Sequence, residues 1–282
     1  MHPERGTFWQ RQVLPILLAI IACVLMIGLV YGQIRLLNTF TSRDISLTVL
    51  VADILIGFTV YIKTSIDFAL FMGNLMRENT GWKNRISIEI GTALGNALGT
   101  MVVLFIWVLF KEIDWLLALM ILLAALVLFK LAEEGLSHAI HTDHTYPDAF
   151  RIPVHALKVL LSHINWFTGP FLRFILPDLS MNAGPRGGFW KLFVFSITIP
   201  FVLGLDDFAG YVPIFSLVNV FGFTIGVFVA HALLNIFLYI SPDKTIRTVK
   251  NPFISVFGSI AFVGLGAWGI FEAVRLLVVF FS

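Results

Sequence analysis

Charge is scarce and cysteine nearly absent in this 282-residue chain. Only 13% of the residues are charged against 58% hydrophobic, a balance that soluble domains of this size do not keep. The lone Cys23 excludes a disulfide framework and dithiol electron transfer across a membrane. No glycine-rich loop followed by lysine occurs, which argues against ATP as the direct energy source. No His-x-x-His-His box occurs either, which weakens an intramembrane hydroxylase or desaturase. A net charge of +2 gives no footprint for nucleic acid.

Apolar runs are what the chain has instead. They cover residues 13–32, 45–76, 86–110, 115–132, 189–218, 219–240 and 253–281, which predicts an all-α polytopic membrane protein with seven transmembrane helices in the lipid bilayer. Arg5 and Arg11 precede the first run as in a signal peptide, but no small-x-small cleavage site follows, so it reads as a retained span. As one straight helix, residues 45–76 would be about 48 Å long, well beyond a hydrocarbon core of roughly 30 Å. The polar cluster Lys63, Thr64, Ser65 and Asp67 is the expected break. In the third run, Gly91, Gly95 and Gly99 recur at every fourth position and permit close helix approach.

The acidic break Ser65-Ile66-Asp67-Phe68-Ala69 is echoed by Gly204-Leu205-Asp206-Asp207-Phe208-Ala209. Asp67 and Asp207 are 140 positions apart, while Asn96 and Asn235, like Glu133 and Glu272, are 139 apart. This regularity predicts a duplicated three-helix unit. The expected organisation is an N-terminal helix and loop (1–46), a first repeat (47–134), a histidine-containing linker (135–188) and a second repeat (189–282). Within the linker, residues 154–176 are too polar for a confident span and read as an interfacial or re-entrant helix. That leaves Arg35, Arg43, Lys111 and Arg275 on one side and most other basic residues on the opposite one. The positive-inside rule then puts the N-terminus and linker in the cytoplasm of a bacterial inner membrane. Three spans per repeat make the duplication inverted, the plan of many secondary transporters.

The run from Gly204 to Phe215 resembles the Gly-x-Asp-Asn-x-x-x-Tyr-Ile-Pro-Leu-Phe segment of cadmium-resistance transporters of the CadD type, in the lysine-exporter superfamily. Thr64-Ser65-Ile66-Asp67 is similar to that family's Thr-Asn-Ile-Asp-Asp. Phe68 stands where the family has a second acid, and Asp207 where it has Asn. The resemblance covers residues 47–132 and 189–280. It implies divalent cation export by a duplicated three-helix unit.

Such cations take several oxygen ligands with enough negative charge to offset dehydration. Asp67, Asp206 and Asp207 supply carboxylates from opposite repeats, and Asn74, Asn96 and Asn235 add neutral oxygens or interhelical hydrogen bonds. Lys63, four residues before Asp67, neutralises it if the helix is intact there, and a cation displacing it would couple binding to charge movement. His231, four before Asn235, reads as a packing residue or a proton relay. Glu89 is a further coupling candidate, although it and Asp53 lie near helix ends, where a carboxylate can reach for water. His138, His141, His144 and Asp143 suit cytoplasmic metal capture before export, or form a solvated loop.

The reading is therefore a non-enzymatic secondary exporter of a divalent metal of the Mn, Cd, Zn, Co and Ni class, with proton antiport as the coupling considered. The metal is substrate, no resident cofactor is expected, and any oligomer is expected to be a homodimer. The rivals are an exporter of a small organic cation or amino acid, an intramembrane metal-dependent enzyme, and a chaperone-like membrane subunit, which would lack buried acids.

Overall fold

The computed structural model describes residues 8–9, 13–141, 148–175, 188–203, 211, 214–215, 218–249 and 251–281. These residues are almost wholly helical and include no strand. The helices are α1 (Leu14–Leu37), α2 (Val51–Thr64), α3 (Ile66–Glu78), α4 (Trp82–Lys111), α5 (Asp114–His141), α6 (Asp148–Ile175), α7 (Phe189–Leu203), α8 (Val220–Ile240), α9 (Pro242–Val249) and α10 (Pro252–Phe281).

Five segments are long and apolar enough to cross a membrane: Leu14–Leu37, Trp82–Lys111, Asp114–Ser137, Val220–Ile240 and Ser255–Phe280. Helices apolar on every face satisfy their own backbone and leave hydrocarbon outside, which is the pattern of a multi-pass membrane protein. α2 and α3 count as a sixth span if their bent pair is taken as one. Of the seven spans expected from the sequence, residues 189–218 are only partly represented. A short apolar helix covers Phe189–Pro200, and 204–210 fall outside the described residues. α6 is not apolar enough to join the crossing set.

The overlong second run breaks at Ser65, where α2 and α3 meet at 63°. Just before the bend, the Thr64 hydroxyl donates back to the Val60 carbonyl (3.0 Å) and approaches that of Tyr61 (3.3 Å), a back-bond that bends helices. The helical part of this run begins at Val51 rather than at residue 45. Asn38 holds Ile45 in the preceding loop, donating to its carbonyl at 3.0 Å and accepting its N–H at 2.9 Å.

The chain forms two compact units. The first takes residues 1–105, 179–208 and 219–249; the second takes 106–178, 209–218 and 250–282. In the first unit α8 is the core helix, buried along nearly its whole length. It packs against α2 so closely that a methyl on Gly57 would land on the Phe223 carbonyl, and one on Gly226 on the Ile54 carbonyl. The expected glycine face of α4 meets α7, where Gly91 and Gly95 lie on the Phe193 and Ile197 carbonyls. α9, in the stretch between the last two apolar runs, sets Ile246 against Gly73 of α3.

In the second unit α5 and α10 lie side by side, with the Ser255 hydroxyl donating to the Gly135 carbonyl at 3.0 Å. This packing, with a Lys130–Glu134 pair at 3.7 Å, carries α5 as helix to His141, past the end expected at residue 132. α6 rests on α5 through Asn165, which donates to the Glu133 carboxylate at 2.5 Å. Trp166 and Phe167 project outward, each more than 80% exposed. Such aromatic pairs suit the membrane–water interface expected for this segment.

Candidate functional site

The first unit holds a polar group at its centre. From α8 come His231 and Asn235, one turn apart and each 1% exposed. Asn235 Nδ2 donates to His231 Nε2 at 2.9 Å and approaches the Thr92 hydroxyl of α4 at 3.4 Å. On the other side of the ring, Nδ1 is hydrogen-bonded to the Tyr61 hydroxyl of α2. With Asn235 donating, the network assigns the ring hydrogen to Nδ1, which gives it to Tyr61. The Phe68 ring of α3 lies 5.7 Å from the imidazole, centroid to centroid. One histidine thus ties α2, α3, α4 and α8 together.

α4 contributes a polar stripe facing the same way. Glu89, Thr92 and Asn96 are spaced three and four apart, so they share a side of the helix, and all three are buried. Thr92 returns its hydroxyl hydrogen to the Ile88 and Glu89 carbonyls, each at 3.0 Å. Glu89 is 2% exposed, and neither of its oxygens has a hydrogen-bond partner among the described residues. Asn96 Nδ2, Asn235 Oδ1 and Ser65 Oγ are likewise unpartnered. Buried polar atoms are almost always paired, so several orphans in one membrane-embedded unit are unusual.

The expected site residues fall into three sets. Asn96, Asn235, His231, Glu89 and Lys63 are all buried in the first unit. Asn74 is exposed on α3 and does not join them. The carboxylate trio lies outside the described residues: Asp206 and Asp207 entirely, and Asp67 in its side chain, its backbone lying in the first turn of α3. The same holds for the linker histidines. His138 and His141 have helical backbone at the end of α5, and Asp143 and His144 are not described. Among the described residues, no three His, Cys, Asp or Glu side chains group as metal ligands.

Three expectations change. The bend at Ser65 comes between Lys63 and Asp67, so no unbroken helical turn relates them. Asp53 does not reach for water: it is buried, and its Oδ1 accepts the backbone N–H of Asn219 at 3.2 Å, at the start of α8. Glu89 does not reach out either: it is buried, on the side of α4 that carries Thr92 and Asn96 rather than the Ser87–Gly91 side on which α7 packs. Tyr61 and Thr92 were not singled out by the sequence. Their only signal is a hydroxyl inside an apolar run.

Arg85 closes the end of this group. Its guanidinium donates to the Met76 carbonyl of α3 (3.2 Å) and the Tyr239 carbonyl of α8 (3.3 Å), at two helix C-termini.

These features describe an all-helical chain of the multi-pass membrane type with a polar group buried among its apolar helices. No known protein family, curated protein or solved structure matches it.

Proposed function

We propose that the chain is a secondary transporter that exports a divalent metal cation, built from two inverted three-helix repeats. The observation that carries this reading is the break at Ser65, which opens an apolar run beside the buried polar group of the same unit. Irregular backbone at membrane depth persists where it lines protein or a wet cavity, and intramembrane acids mark ion paths. Asp67 follows two residues after the break, and Asp206 and Asp207 occupy the equivalent place in the second repeat.

The element bounds support the duplication. α2 and α7, α4 and α8, and α5 and α10 each begin 138 positions apart. That spacing is within two residues of those relating Asp67 to Asp207 and Asn96 to Asn235. The packing follows the same exchange, α2 against α8 and α7 against α4, which is the partner swap that a two-fold relation between repeats produces. The resemblance of the acidic segments to CadD-type transporters adds the substrate class. Asp67, Asp206 and Asp207 would supply the charge, and the Asn96 and Asn235 amides would supply neutral oxygens. The basic residues put the N-terminus and the 135–188 linker in the cytoplasm.

The test is metal flux into or out of vesicles containing the purified chain, surveyed with Mn, Cd, Zn, Co and Ni. Flux of at least one is expected, and Asp67→Asn or Asp207→Asn should abolish it while the protein remains folded in the bilayer. Undiminished flux in both variants would overturn the site, and no flux of any metal would overturn the function.

A further inference from the structure

We propose that Glu89 is the proton carrier of the transport cycle, bearing its proton in the conformation described and releasing it when a cation is loaded. This rests on reading the chain as a cation exporter. Glu89 lies in a helix long and apolar enough to cross a membrane, is 2% exposed, and has no donor to either oxygen among the described residues. An ionised carboxylate so placed would be both dehydrated and unpaired, the costliest arrangement for a charged side chain. The neutral acid needs no counter-ion, so the geometry fits a bound proton.

Among the described side chains, the neighbouring charges are engaged elsewhere or face outward. Arg85, one turn earlier on α4, directs its guanidinium to the Met76 and Tyr239 carbonyls and lies over the Tyr239 ring. On α7, which packs on the Ser87–Gly91–Gly95 side of α4, the charged residue is Lys191, which is exposed. On α8, His231 already uses both ring nitrogens, so it is a positioning residue rather than the carrier. α2 brings Asp53, held by Asn219, and the buried Lys63, while α3 brings Asp67 after the bend.

The unpartnered Asn235 Oδ1 belongs to the residue that reaches Thr92, one turn along α4 from Glu89. A cation arriving on neighbouring oxygens would favour the charged carboxylate. The Glu89 O–H bond then breaks, the proton leaves to water on the loading side, and the carboxylate takes a proton again from the opposite side once the cation has gone. One carboxylate changes state, and no oxidant or other reactant is required.

The experiment uses the full chain in vesicles with a fluorescent pH indicator inside and cadmium or manganese as the probe. In the wild type, metal flux should move protons the opposite way, and a pH gradient should drive it. Glu89→Gln should lose both gradient-driven flux and proton movement, down to the level of protein-free vesicles. It should retain metal-for-metal exchange, and Glu89→Asp should partly restore coupling. Wild-type metal flux without proton movement, or undiminished coupling in Glu89→Gln, would overturn the proposal while leaving the exporter reading standing. Infrared difference spectra give a readout independent of transport: a protonated-carboxyl band should be present in the wild type and missing from Glu89→Gln. If no metal is transported, the exporter reading fails, and the absence of that band would show separately that Glu89 holds no proton.

Discussion

Replacing Asp53 tests whether this acid is a structural clasp. Asp53 Oδ1 accepts the Asn219 N–H at 3.2 Å, while Asn219 itself caps α8 by accepting the Gly222 N–H at 3.0 Å and donates to the Ser46 carbonyl at 3.0 Å. A carboxylate is thereby placed at the positive end of the core helix. Asp53→Ala removes a hydrogen bond to a charged acceptor, worth about 1.5–3 kcal/mol when a buried partner is left unpaired. It also removes the favourable interaction with the helix terminus, about 0.3–1 kcal/mol. Polar contacts between membrane helices measure lower than their soluble counterparts, averaging about 0.6 kcal/mol, so a net loss of about 2 kcal/mol is expected. Asp53→Asn keeps an acceptor in place and should lose about half as much. The assay is reversible unfolding in mixed micelles. A loss in Asp53→Ala below about 0.5 kcal/mol, the range of ordinary surface changes, would refute the clasp.

Other substitutions address packing and metal capture. Gly226→Leu should force α2 and α8 apart, because the atoms it meets are the Ile54 carbonyl and the Phe58 amide nitrogen, which cannot rotate away. A cost of at least about 1–3 kcal/mol is expected in the same micelle assay, and a neutral result would mean the close approach is wrong. Joint replacement of His138, His141 and His144 by Ala should raise the metal concentration giving half-maximal export. An unchanged value would assign those residues to a solvated segment.

The break in the second run was legible because length and polarity agree on it: 32 apolar-rich residues exceed the bilayer, and Thr64 and Ser65 stand where the excess must be absorbed. The buried amides were legible for a similar reason, since Asn96 and Asn235 keep the spacing of the acidic breaks. The Tyr61–His231 pair was not, because it joins residues 170 positions apart and nothing local marks a tyrosine in an apolar helix as a hydrogen-bond partner. Glu89 and Asp53 were misread in the same direction. Distance along the helix to its nearest end suggests access to water, but both are buried: Glu89 lies on the side of α4 where Asn235 of α8 approaches Thr92, and α8 begins against Asp53. The fourth span was placed too short because Glu133 and Glu134 look like a terminus. Asn165 binds the first and Lys130 pairs with the second, so the helix continues.

The polar residues of the first unit divide by whether the protein itself satisfies them, and the two groups should respond to apolar replacement with opposite signs. His231 and Tyr61 are hydrogen-bonded within the fold, and Asp53 is bonded to Asn219 through one oxygen while its Oδ2 has no partner among the described residues. Removing His231 takes a buried hydrogen-bond partner from both Tyr61 and Asn235, so His231→Leu should cost about 1–3 kcal/mol. Asn96 Nδ2 and both Glu89 oxygens have no such partner among the described residues, so the fold already carries the cost of burying them. Asn96→Leu and Glu89→Met should therefore be neutral or stabilising by about 1 kcal/mol, as when an unsatisfied group gives way to a shape-matched apolar one. Both should at the same time abolish proton-coupled flux. A chain that keeps costly unpaired groups at its core gains nothing in stability from them, so their retention fits a transient occupant, a proton or a cation. If Asn96→Leu and Glu89→Met destabilise the protein as much as His231→Leu does, the unpaired groups are structural after all, and the division between scaffold and site in this unit is wrong.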